Sequence, residues 1–132
     1  MEINWIAVIV AALSTFVLGF IWYNPKVFGT MWQKAAGLSD EQMKDMSGMG
    51  KIFGVSFILA LAMAIMTTYF VHGTDDIAVA ARMGLYLGLG IILPAMGTTA
   101  MYERRGFAYI FVNGAYWIIG IIIISMILAA FN

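Results

Sequence analysis

Four long apolar stretches alternate with short polar ones along this chain, and that alternation predicts its architecture. The stretches are Trp5 to Tyr23, Ile52 to Val71, Ile77 to Tyr102 and Phe107 to Phe131. A helix of roughly 20 apolar residues covers the hydrocarbon core of a bilayer. Each stretch therefore predicts one transmembrane helix, over residues 5–23, 52–71, 77–102 and 107–131. The first stretch closes on Trp22-Tyr23-Asn24-Pro25 and is followed by Lys26, Phe28, Trp32 and Lys34. That order suits a helix that leaves a bilayer, turns, and lies along its surface. Phe28, Met31, Trp32, Ala35 and Leu38 fall on one helical face, which makes residues 26–50 an amphipathic, interfacial segment. Trp5, Trp22, Phe28 and Trp32 are the predicted interface anchors. Ser39-Asp40-Glu41-Gln42 fits a capping box and predicts a second short helix, running to about Gly48.

Inside the spans, small residues recur every fourth position. Ala7, Ala11, Thr15 and Gly19 form such a row in the first, Ser56, Ala60, Ala64 and Thr68 in the second, and Ala80, Gly84 and Gly88 in the third. Rows of this kind let another backbone approach closely, either within one bundle or between copies. The third span also holds Pro94, which has no amide hydrogen and clashes with the carbonyl four residues earlier, that of Gly90. A kink is expected there, with the Gly90 carbonyl seeking a donor. In the fourth span Asn113 stands out, because an amide in hydrocarbon must find partners. By depth it matches Thr98 and Thr99 of the third span and Tyr23 of the first, with Tyr116 one turn further along its own helix. These five residues are the candidate polar site, read either as an interhelical hydrogen-bond clamp or as a solute site.

Charge orients the spans. Lys26, Lys34, Lys44 and Lys51 lie between the first and second, and Arg104 and Arg105 between the third and fourth, whereas the other side has only Arg82. Under the positive-inside rule the long loop faces the cytoplasm and both termini face away from it. The start, Met1-Glu2-Ile3-Asn4-Trp5, lacks the basic region of a secretory signal, so the first span is expected to stay in the mature protein. His72-Gly73-Thr74-Asp75-Asp76 forms the tight turn on that outer side, with Thr74 or Asp75 as the expected cap of the third helix.

Composition narrows the chemistry. The chain is 63% hydrophobic and 11% charged, with no net charge and no cysteine. The bilayer is the expected partner, and nothing points to nucleic acid. With a single histidine and no thiolates, no metal site or cofactor is expected. Met43, Met46 and Met49 recur at intervals of three and are read as an apolar face, since a soft-metal site there would lack Cys or His support. No nucleophile with a base is evident, and Glu103 and Tyr102 are the only modest candidates, so the protein is not expected to be an enzyme.

Several of these residues together resemble the domain of unknown function 1761 family of small four-span bacterial membrane proteins. They are Asn4-Trp5, Gly19, Trp22-Tyr23-Asn24-Pro25 with Phe28-Gly29 and Trp32, Glu103-Arg104-Arg105, and Asn113-Gly114-Ala115-Tyr116-Trp117. Members often carry His after that Tyr, where this chain has Trp117. The resemblance implies the fold and a place in the bacterial cytoplasmic membrane, and it implies no activity. The expectation is one all-α membrane domain over residues 1–132, a four-transmembrane-helix bundle with short cytoplasmic interfacial helices. Its expected role is that of a non-catalytic protein, self-associating or a subunit of a larger membrane complex. The rival expectation is a small-solute or ion channel or carrier using the polar site in the cytoplasmic half.

Overall fold

The computed structural model describes residues 2–132. Its elements are α1 (Trp5–Trp22), α2 (Gly29–Ala36), α3 (Asp40–Lys44), α4 (Met49–Val71), α5 (Ile77–Leu87), α6 (Leu93–Tyr102) and α7 (Phe107–Ala130), with a π turn over Gly88–Ile92 joining α5 to α6. Four helices, α1, α4, the continuous α5–α6 rod and α7, are long and apolar enough to cross a membrane.

Local chemistry sets the ends of these elements. Asn4 caps α1, its Oδ1 accepting the Ala7 amide at 3.1 Å. Past Trp22 the Asn24 side chain accepts the Lys26 amide at 2.9 Å, a side-chain turn that competes with further helix. Gly37, with φ of 72°, ends α2 in the left-handed conformation. The capping box forms as expected: Gln42 donates its amide to Ser39 Oγ, and Ser39 donates its own to the Gln42 side chain. The helix it starts is shorter than expected and stops at Lys44 rather than near Gly48. Asp45 Oδ1 accepts both the Ser47 hydroxyl and the Ser47 amide, which turns the chain out of the helix and holds the Asp45 carboxyl below the usual carboxylate range. The cap of α5 also differs from expectation. Asp76, rather than Thr74 or Asp75, accepts the amides of Ala78 and Val79.

Pro94 is accommodated differently from a simple kink. The π turn places an extra residue just before it, and the Leu93 amide reaches back to the Gly88 carbonyl, five residues earlier. Pro94, which has no amide to give, stands directly after this wider turn, at the start of α6. Gly90 lies on the exposed side of the rod.

α7 is the central element, with α1, α4, the α5–α6 rod and α2 all packed against it. The core gathers Ala7, Val8 and Ala11 of α1, Ala64 and Val71 of α4, Ala80 of α5, and Ile121, Ile124, Leu128 and Ala129 of α7. All of these lie in the half of the bundle that holds the chain termini. That end is also tied by Asn132, whose side-chain amide donates to the carbonyls of Val71 and Thr74 and so caps the end of α4. The opposite half carries the basic residues and is more open. From Met49 to Leu59, α4 contributes no buried residue.

Most of the small-residue rows turn inward, although Ser56 at the start of the second is exposed. Ala7, Ala11 and Thr15 are buried. A Cβ added to Gly84 would sit 2.7 Å from Ile122 Cα, and one on Gly88 would sit 2.9 Å from Ile118 Cα. Both glycines are therefore taken up by α7 of the same chain. The alternative of a contact between copies through Gly84 and Gly88 does not fit this packing.

A polar clamp and the cavity beside it

Tyr109, Asn113 and Tyr116 fall on one face of α7 because residues three and four apart are neighbours on a helix. Asn113 is six residues in from Phe107, about 9 Å along the axis. Its side-chain amide donates to the Tyr109 carbonyl at 3.0 Å, one turn back, which aims Oδ1 toward α1. There the Tyr23 hydroxyl, carried on the residue that caps α1, donates to Oδ1 at 2.6 Å. Tyr116 reaches the same helix higher up and donates its hydroxyl to the Thr15 carbonyl at 2.5 Å. Two side-chain hydrogen bonds thus cross from α7 to α1 at two levels. The Tyr23 and Tyr116 rings lie 5.2 Å apart between centroids, and Trp117 and Trp32 meet them edge-on at 4.9 and 5.4 Å.

A cavity of about 530 Å³ opens beside this clamp. α1 supplies Thr15, Phe16, Gly19, Phe20 and Tyr23, and α7 supplies Asn113, Tyr116 and Trp117. The poorly covered first half of α4 forms the far wall through Met49, Ile52, Phe53 and Ser56, and Trp32 of α2 covers the end. No Asp, Glu, Lys, Arg or His lines it. Across this region Phe16 bridges α1 to α4 by ring contacts, with centroid distances of 6.1 Å to Phe53 and 6.2 Å to Phe57.

The expected site is thus assembled only in part. Tyr23, Asn113 and Tyr116 come together. Thr98 and Thr99 do not join them: both are exposed, and Thr98 returns its hydroxyl to the Pro94 carbonyl at 2.7 Å. Thr99 lines a separate, smaller hollow with Glu103 and Tyr109. Equal depth places these threonines level with Asn113, but α6 presents them outside the cavity that Asn113 lines. Gly90, whose carbonyl the proline was expected to free, is likewise absent from the cavity wall. Of the expected anchors, Trp5 is exposed. Trp22 instead donates its indole N–H to the Val112 carbonyl at 3.0 Å and stacks on Phe28, which also meets Phe111.

One connection has no signal in the sequence beyond a basic turn. Arg105 donates from Nη1 to the Ala36 carbonyl at 3.1 Å, and its guanidinium carbon stands 5.3 Å from the centre of the Tyr109 ring. A cation at a helix C-terminus meets its unpaired carbonyls and its dipole. Arg104, at φ of 60°, makes the tight turn that points Arg105 back at α2. The α2 helix that carries Trp32 over the cavity is therefore held from the α6–α7 turn. Arg105→Met should free it: amide exchange across residues 29–38 should quicken on the order of 10-fold, the counterpart of about 1.4 kcal/mol. Exchange in α7 should stay unchanged. Hydrogen exchange with mass-spectrometric readout checks both halves of that statement.

The fold defines a small all-helical protein with four helices of membrane-spanning length, closed at one end by a packed core and joined at the other by an aromatic and amide clamp. The family described as "Protein of unknown function (DUF1761)" matches residues 6–129, and the chain belongs to it. No curated protein and no solved structure matches the chain.

Proposed function

We propose that this is a non-catalytic integral membrane protein that binds a small uncharged molecule in the basic half of its bundle, the half that faces the cytoplasm of a bacterial cell. The observation that carries this reading is the 530 Å³ cavity beside Asn113, Tyr23 and Tyr116. Small-molecule sites run from roughly 300 to 1,000 Å³, mostly apolar, with a few convergent polar groups. This cavity has that size and that lining. The test is native mass spectrometry of protein released gently from its own membrane. A non-protein adduct at one per chain is expected, and Ser56→Trp, which fills the cavity from an exposed position on α4, should remove it. Bare protein from both chains would defeat the proposal.

A second reading, self-association or membership of a larger membrane complex, is favoured by α4. It is the least buried of the four long helices, and Val55, Ile58, Leu59 and Met66 on it are exposed. With Gly84 and Gly88 occupied internally, this face is the least covered one open to a neighbour. The same spectra report it as a multiple of the chain mass or as a fixed ratio to other subunits.

A further inference from the structure

We infer that the cavity takes an uncharged amphiphile with a planar ring for a head, entering sideways between α1 and α4 with its polar ring atom on Asn113. The inference rests on the binding role proposed above and specifies the class of molecule bound.

The lining selects a ring over a chain. Of the thirteen residues around the cavity, seven are aromatic, whereas only Ile52 and Met49 are long aliphatics. Aromatic faces and edges reward a planar π-system in stacked or edge-on contact, worth about 0.5–1.5 kcal/mol per pair beyond area burial. A saturated chain gains only the burial.

The polar inventory defines what the ring carries. Tyr23 gives its hydroxyl hydrogen to Asn113, and Tyr116 gives its own to Thr15. Toward the cavity these phenols have only lone pairs left. Asn113 uses one N–H on Tyr109, and its second makes no hydrogen bond among the described residues. The wall therefore offers the Asn113 amide hydrogen beside phenol acceptors, and the Ser56 hydroxyl and the indole N–H groups of Trp32 and Trp117 add further donors around it. A ring carbonyl accepts from that amide, and a ring hydroxyl donates to a Tyr oxygen. Both fit a ring bearing carbonyl or hydroxyl groups.

Charge and access complete the assignment. With no ionisable Asp, Glu, Lys, Arg or His in the wall, a charged head would be desolvated without a partner. Phe20, Ile52 and Phe53 at the mouth are all exposed. In a bilayer these side chains meet lipid, so the mouth opens to molecules dissolved in the membrane.

The test uses the full chain in phosphatidylcholine nanodiscs and three probes: a benzoquinone with one isoprene unit, decanol, and 4-ethylphenol. Quenching of Trp32 and Trp117 reports the quinone, and competition against it reports the other two. Saturable quenching is expected, abolished by Ser56→Phe, which fills the same space without adding a tryptophan, and weakened about 10-fold by Asn113→Leu. The phenol should compete and decanol should not. A membrane-derived ligand predicts that the isoprenyl quinone outcompetes the tailless phenol, and equal affinity would make a water-borne ring the occupant instead. Competition by decanol as strong as by the phenol would overturn the ring assignment while leaving the binding role intact. Saturable quenching that persists in Ser56→Phe would place the ring elsewhere and overturn it as well. Failure of all three probes, with no adduct in the native spectra, would remove both.

Discussion

Gly84→Ala should lower the stability of the bundle by about 1–3 kcal/mol, the range for forcing a methyl into a filled core. The new Cβ would stand 2.7 Å from Ile122 Cα, 2.8 Å from Ser125 Oγ and 2.9 Å from the Ile121 carbonyl oxygen. Two of these three are backbone atoms, which have no rotamer to yield, so α5 and α7 must move apart. They would do so beside Ala80, Ile121 and Ile124, which are buried in the core. Gly84→Leu should prevent the bundle from assembling. Gly54→Ala is the control, because a Cβ there meets nothing within 4 Å. Relieved of glycine's conformational freedom, that helix should gain roughly 0.5–1 kcal/mol. Thermal unfolding of the three variants in one detergent decides the matter. Equal upward shifts for both alanine variants would mean that α5 and α7 do not touch at Gly84.

The second large effect belongs to the clamp. Asn113→Leu leaves the Tyr23 hydroxyl without its acceptor among apolar neighbours, at a cost of roughly 1–3 kcal/mol. Tyr23→Phe removes the donor instead and should cost less, because Oδ1 sits at the cavity edge. The double variant should be less destabilised than the two singles summed, by about 0.6–1.7 kcal/mol, the range for hydrogen bonds between helices in membranes. Unfolding in mixed micelles of increasing denaturing detergent measures all four corners of this cycle. Additivity within about 0.3 kcal/mol would show that the hydroxyl bonds something other than the amide.

Tyr116 and Tyr23 also show how far a linear pattern reaches. Asn113 demands attention from its residue type alone, since an amide in an apolar run must be bonded. Tyr109 and Tyr116 follow from helical spacing on the same face. That Tyr23 is the partner follows from depth, because both residues lie near the basic end. Thr98 and Thr99 met the same depth criterion and still lie elsewhere. Depth is set by position along a helix, which the sequence counts out. Azimuth is set by how each helix is rotated against its neighbours, and the π turn after Gly88 changes the rotation of everything beyond it. A place at a span end suits Trp22 to the headgroup level, and the same place lets its indole reach Val112 once α7 stands beside α1.

By itself the sequence determined the elements: four apolar helices, the Asn24-Pro25 exit, the capping box at Ser39, and the sign of charge at each end. These depend on local hydrogen bonding, helix propensity and transfer from water, which act over a few residues. Tertiary structure alone decided which faces meet. It placed α7 at the centre, turned Gly84 and Gly88 inward, set Arg105 on the end of α2, and left α4 standing off so that a cavity opens beside Asn113. Those outcomes come from packing side chains of particular volume across helices far apart in the chain. Almost every face of these helices is apolar, so hydrophobicity does not distinguish inside from outside, and close fit does.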